Sequence, residues 1–414
     1  MNNQKNYLGP FITMVFLFLI VGFLTVVFQQ FQKPLETAFL GNAEKVKNTL
    51  AVMVTFAWFL AYPLTGGIGS KWVDKFGHKK TLERALIVMI AGLIVCSGSA
   101  WLGAKTNIAI GVISIGFFVF LVGSFIVGSA ATIMQVVINP YLAASKVQGT
   151  SEITRINIGG SANSIGTTLA PYFVSSVIFG GVSITNVKIE QVIVPFLVLA
   201  LTIAIIAFIV NRLTLPTIAG TTNEGGEVLE KSIWSFSHLR LGVIGLFFYV
   251  GIEVAIGANI LMYANWLGGS FAERAALMVT LYWGGLLVGR LIGSTLSKIP
   301  AQIQLAVTTV AATLLVLASI FTNNPWLLVV VGLLHSIMWS GIFSLAISKL
   351  GKYTPKGSGA LMIGVIGGAI IPLIQSMLVD AIGGWRWTWF IVAAGELYIL
   401  YYALSGCKVK QSGE

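Results

Sequence analysis

The chain has 414 residues, of which 56% are hydrophobic and only 9% charged. A soluble domain carries about a quarter of its residues as Asp, Glu, Lys or Arg, so this composition excludes an ordinary soluble enzyme, a disordered chain and a disulfide scaffold. It places the chain in a lipid bilayer. The net charge of +11 does not point to nucleic acid, because the basic residues lie in short connectors between apolar runs and not among stacking or groove-reading elements.

A membrane-spanning helix needs about 20 mostly apolar residues. Runs of that kind fall near 9–30, 49–69, 82–103, 112–143, 155–180 and 191–211, and again near 239–265, 276–297, 303–321, 326–348, 358–380 and 387–406. The sequence therefore predicts an all-α membrane protein with twelve transmembrane helices. Lys5 precedes the first run without a small-residue cleavage pattern, so that run reads as a retained span and not a signal peptide. With both termini in the cytoplasm, 18 basic residues lie on the cytoplasmic side and seven on the other, and this bias sets the orientation. The polar stretch 215–236 reads as a cytoplasmic linker between a half at 1–214 and a half at 237–414, six spans each.

The first span ends in Gln29 and Gln30. The second runs into Gly66-Gly67-Ile68-Gly69-Ser70-Lys71-Trp72-Val73-Asp74-Lys75-Phe76-Gly77-His78-Lys79-Lys80, and the eighth repeats its Ile-Gly-Ser at Ile292-Gly293-Ser294. Asp74, Lys75, Gly77, Lys79 and Lys80 read as a cytoplasmic gate, in which an acid holds basic groups and a helix N-terminus; a solvated charged loop is the alternative. The fourth span places Gln135 and Asn139 on one face beside Pro140, and it meets the fifth without a clear polar break. The fifth carries Asn157, Gly160, Ser161 and Ser164, with Asn163 beside them.

In the second half, Glu253 lies in the middle of the seventh span, and Asn259 follows on another face. An acid there is costly and reads as a substrate ligand or a proton carrier. Gly285, Gly289 and Gly293 form a small-residue seam on the eighth span. His335 reads as a packed core histidine next to Trp339, Gln375 lies in the eleventh span beyond Gly367, Gly368 and Pro372, and Glu396 in the twelfth reads as structural. Trp385, Trp387 and Trp389 read as an interfacial anchoring belt.

Amides and a carboxylate beside aromatic faces suit a sugar, whose hydroxyls both donate and accept. Gln30, Gln135, Asn139, Asn157, Asn163, Glu253, Asn259, Trp339 and Gln375 are the candidate substrate-binding residues, and Glu253 is the proton-coupling candidate. For any single amide, a helix–helix hydrogen bond is the competing reading. Walker, HExxH and dinucleotide motifs are absent, and so is any metal-ligand spacing. The sequence therefore implies no enzyme, no metal and no cofactor.

The gate motif resembles the signature of the major facilitator superfamily, with Ser70 where that family prefers Gly. Further blocks resemble its L-fucose permease and glucose/galactose transporter branch: Asn139-Pro140-Tyr141, Arg155-Ile156-Asn157, Asn163-Ser164-Ile165-Gly166, Phe248 to Val254, Ser336-Ile337-Met338, Ile342 to Leu345 and Ile366 to Pro372. The resemblance implies the major facilitator fold and uptake of a hexose or deoxyhexose by alternating access. It also implies proton or sodium symport, in the plasma (inner) membrane and as a monomer. Glu253 matches the glucose/galactose members. Gln30 (or its neighbour Gln29) and Gln135 stand where the fucose permease has proton-linked acids, Gly160 replaces a polar residue, and Ser340 replaces a proline. An uncoupled sugar uniporter, or a carrier of another small polar solute, is the alternative that these departures imply.

Overall fold

The computed structural model describes residues 8–40, 46–106, 108–145, 147–150, 152–180, 188–215, 231–295, 299–350 and 353–409. They are almost entirely helical, and eleven of the helices are long and apolar enough to cross a membrane. A bilayer interior offers no water to backbone N–H and C=O groups, so each segment satisfies them within itself. The chain forms two compact units, Met1–Glu44 with Leu60–Gly226, and Lys45–Phe59 with Glu227–Glu414. Of the expected linker, 216–230 lies outside the described residues.

In the first unit, α1 (Leu8–Gln30) breaks at Phe31 and resumes as α2 (Gln32–Phe39). The second and third expected spans form one nearly continuous element, α3 (Lys47–Lys105), interrupted only at Gly77, whose φ of 76° and ψ of 170° turn the chain back. The loop expected between 69 and 82 is therefore helix up to the glycine. Lysines and an acid end a hydrophobic run but are good helix formers, and only a residue free to adopt positive φ makes the reversal. A two-residue hairpin, β1 (Ala109–Ile110) and β2 (Ile113–Ser114), leads into α4 (Ile115–Ala144). The missing polar break after the fourth run is supplied by geometry. Ser145 leaves the helix with φ −62° and ψ 122°, and its hydroxyl bonds the Tyr141 carbonyl at 2.6 Å. Next come α5 (Glu152–Tyr172), continued as π-helix to Ile178, and α6 (Ile193–Arg212). α5 packs along α1 and α4.

The second unit is organised on α7 (Ser237–Leu267), which is buried along most of its length. The short α8 (Gly269–Glu273) leads to α9 (Ala275–Thr295) and α10 (Ala301–Thr322). The tenth expected span is two helices, α11 (Trp326–His335) and α12 (Met338–Ile347). α13 (Thr354–Leu361), α14 (Gly367–Ile382) and α15 (Phe390–Tyr401) complete it. α7 packs on α14, α12, α15 and α9, while α9 packs on α11.

This unit also holds the start of α3. Asp380 of α14 accepts the Asn48 amide at 3.2 Å, the Asn48 side-chain Nδ2 at 2.7 Å and the Thr49 amide at 2.7 Å. It thereby caps a helix from outside its own sequence. The tryptophan belt is corrected in part. Trp385 and Trp389, one helical turn apart, are 1% and 0% exposed, and only Trp387 on the opposite side is open at 50%.

Candidate functional site

Polar side chains collect between the helices of each unit. In the first, Gln135 of α4 donates from Nε2 to the Tyr62 hydroxyl of α3 at 2.5 Å. Asn163 of α5 donates to the Phe18 carbonyl of α1 at 3.0 Å, and Gly22 lies directly opposite it, where any side chain would meet that amide. Gln30 is buried at the end of α1, and Asn139 is exposed beside Pro140. The side chain of Asn157 lies outside the described residues. Gln29 is 1% exposed, yet among the described residues neither its oxygen nor its nitrogen meets a partner. Buried amides are seldom left in that condition. The sequence held Gln29 only as the neighbour of Gln30, and both prove to be buried at the end of α1. Tyr62 gave no signal of its own.

The gate residues sit around the Gly77 turn. Lys79 donates to the Asn211 carbonyl at the C-terminal end of α6 at 2.7 Å and pairs with Glu83 at 3.7 Å, while Asn211 donates back to Glu83 at 3.1 Å. A cation at a helix C-terminus answers the dipole there. Arg84 lies 3.4 Å from the Phe76 ring centre and Lys75 5.3 Å from it, so the turn is bound by cation–π contacts on its own side. Lys80 is exposed, and the Asp74 side chain lies outside the described residues.

In the second unit, Asn259 donates to Gln375 at 2.9 Å, and Gln375 donates to Thr388 at 3.3 Å. Both amides are 0% exposed. They make the bond between helices that was the alternative for amides in spans. Trp339 is half-buried, stacked on Phe343 at 6.5 Å and 15°, and edge-on to Tyr249 at 6.4 Å.

Glu253, also half-buried, belongs to a larger cluster. His335 Nε2 lies 2.6 Å from Glu396 Oε1, with both side chains 0% exposed. His335 Nδ1 is 3.0 Å from the Tyr282 hydroxyl, which donates to the backbone carbonyl of Glu253 at 3.0 Å. The break between α11 and α12 frees two carbonyls. That of His335 accepts the Tyr249 hydroxyl at 3.1 Å, and that of Ser336 faces Arg290 Nε at 3.5 Å. Unwound backbone inside a span is tolerated where side chains satisfy it. The small-residue seam makes this approach possible. Gly289 abuts Ser336, and Gly332, one turn before His335, lies against the backbone of Tyr282 where any Cβ would collide. The sequence placed His335 and Glu396 in separate spans, 61 positions apart, with nothing to connect them. Among the described residues, no group of three or more His, Cys, Asp or Glu could hold a metal.

No family model matches the chain. It is similar over nearly its full length to the glucose/galactose transporter of Brucella abortus, at 31% identity over 98% of this chain and 96% of that one. It is 24% identical to the L-fucose-proton symporter of Escherichia coli, over 92% of this chain and 89% of the other. Its fold matches the crystal structure of FucP, a major facilitator superfamily transporter in the outward conformation, with a TM-score of 0.69 at 21% identity over 97% and 99% of the two chains.

Proposed function

Because the chain belongs to the glucose/galactose transporter and L-fucose permease branch of the major facilitator superfamily, it is a membrane sugar carrier and not an enzyme, and we propose that it takes up a hexose or deoxyhexose by alternating access with proton symport. The observation that carries this reading is the end-to-end likeness to the Brucella abortus protein. On this reading the helix Glu152–Ile178, too polar to stand among the eleven, is a twelfth span. It is polar because one face carries Ser161, Asn163, Ser164, Thr167 and Thr168. Both termini then lie in the cytoplasm, two six-span halves rock about a central site, and the carrier works as a monomer in the inner membrane.

Gln29 or Gln30, Gln135, Asn139, Asn157 and Asn163 from the first half, with Glu253 and Trp339 from the second, supply the hydroxyl partners and the stacking face. The Asn259–Gln375 pair braces α7 against α14 behind them. Asp74, Lys75, Gly77, Lys79 and Lys80 latch the cytoplasmic side. Glu253 is the acid that exchanges protons with water, since Gln30 and Gln135 cannot do so near neutral pH.

A second reading, an uncoupled uniporter, is favoured by those same two amides. Uptake of labelled glucose, galactose, fucose, mannose, fructose and N-acetylglucosamine into proteoliposomes separates the two, with and without inward proton or sodium gradients. Proton-driven accumulation of one sugar is the expected result. Equilibration alone selects the uniporter, and no uptake of any sugar overturns the substrate class. Under symport, Glu253→Gln loses accumulation and its pH dependence.

A further inference from the structure

We propose that the buried His335–Glu396 pair is the proton-binding site of the carrier, and that its occupancy is reported to α7 by the hydroxyl of Tyr282. The inference rests on the symport reading above but assigns the proton to a pair in the second unit and not to the amides of the first. Its basis is a count of hydrogens. Tyr282 has one hydroxyl hydrogen and two acceptors within reach, the Glu253 carbonyl at 3.0 Å and His335 Nδ1 at 3.0 Å.

If the hydroxyl donates to Glu253, Nδ1 has to carry its own hydrogen and donate to Tyr282. The 2.6 Å line from Nε2 to Glu396 Oε1 then needs a proton as well, because a bare ring nitrogen facing a carboxylate oxygen would set lone pair against lone pair. This is the loaded state, neutral overall. If the hydroxyl instead turns to Nδ1, the ring keeps a single hydrogen on Nε2, donates it to Glu396, and the pair holds one proton fewer with a net charge of −1. Loading and releasing a single proton therefore moves the Tyr282 hydrogen on and off the backbone of α7, beside the side chain proposed to bind sugar.

The surroundings isolate this exchange. Glu396 and His335 are fully buried, and among the described residues Glu396 Oε2 meets no donor. The titratable or charged groups that face the pair are Tyr249 and Glu253 from α7 and Tyr282 and Arg290 from α9. α10, which packs on both α11 and α15, contains no Asp, Glu, Lys, Arg, His, Cys or Tyr. Glu253, part-exposed where the pair is buried, is the group through which the proton reaches water.

The test uses the full chain in proteoliposomes, with two independent readouts. In an infrared difference spectrum between acid and alkaline buffer, without sugar, the wild type shows a carboxylic-acid C=O signal with a component that Glu396→Gln removes and Glu253→Gln does not. In transport, E396Q lowers accumulation under an inward proton gradient toward an inside-to-outside ratio of one, a larger factor than its loss of sugar counterflow. Tyr282→Phe, which removes one oxygen and spares the pair, keeps the carboxyl signal and loses accumulation by roughly tenfold, so the proposal stays testable if E396Q does not fold.

A folded E396Q with wild-type accumulation and an unchanged carboxyl spectrum overturns the proposal, as does wild-type accumulation in Y282F. If the Glu396-dependent signal is present but the wild type moves no sugar, the proton site stands and the sugar reading fails.

Discussion

Replacement of Asp380 by alanine has a consequence that can be worked from the structure. α3 begins at Lys47, and the amides of Asn48 and Thr49 belong to the first turn, where no intrahelical carbonyl is available. Both are instead held by Asp380 at 3.2 and 2.7 Å, and the Asn48 side chain adds a third bond at 2.7 Å. Losing a cap costs about 1 kcal/mol, and losing a negative charge at a helix N-terminus costs a further ~0.3–1 kcal/mol. Asp380→Ala should therefore loosen this end by about 1.3–2 kcal/mol, equivalent to a roughly ten- to thirtyfold rise in local opening. Asp380→Asn keeps one of the two acceptor oxygens but loses the other and the charge, so its cost should fall short of that of alanine without vanishing.

Hydrogen exchange of a peptide covering residues 46–55, measured on purified protein in lipid nanodiscs, reads the effect directly. Protection at Asn48 and Thr49 should fall in the order wild type, D380N, D380A, while amides further along α3 keep theirs. Unchanged protection at these two amides in D380A would show that the carboxylate does not hold the helix, and the reasoning would be wrong. α3 starts in one compact unit and passes into the other after Phe59, so the same substitution should speed sugar counterflow if release of this end limits the cycle.

Three other outcomes are expected. Lys79→Met removes the 2.7 Å bond to the Asn211 carbonyl and a part-exposed ion pair; thermal melting should show a loss of about 1 kcal/mol that shrinks in high salt. Gly332→Ala drives a methyl group into the backbone of Tyr282 and should cost about 1–3 kcal/mol, whereas Gly160→Ala has open space and should stabilise α5 by about 0.5–1 kcal/mol. The ordering of the three melting temperatures checks both. Burial holds the Cys407 thiol above its usual range, and both Cys96 and Cys407 are buried. Because the thiolate is the nucleophile, maleimide should leave both unlabelled at neutral pH, react with Cys407 faster as pH rises, and label both once the protein is unfolded in detergent.

Composition and hydropathy alone determined that the chain lives in a bilayer and roughly where its spans lie, and singled out the polar residues inside them. These follow from a solvent that penalises every exposed polar group, so the pattern is written locally, about 20 residues at a time. Glu253 and the Gly77 turn were legible for the same reason, being a lone acid in an apolar run and a glycine among charges. Partnership was not legible. Asn259 and Gln375 were read as candidate sugar ligands and are found bonded to each other, 116 positions apart in sequence. Of three tryptophans in five residues, helical phase turned two into the core and one outward. Asp380, near the end of its own span, caps a helix that begins more than 300 positions earlier.

His335 and Glu396, each unremarkable in its own span, are found hydrogen-bonded to each other, and glycines at 289 and 332 let α9 and α11 close together so that Tyr282 reaches the same histidine. Which side chains meet depends on helix rotation, breaks and approach distance. Those are set by packing between segments far apart in the chain, and no window of sequence contains them.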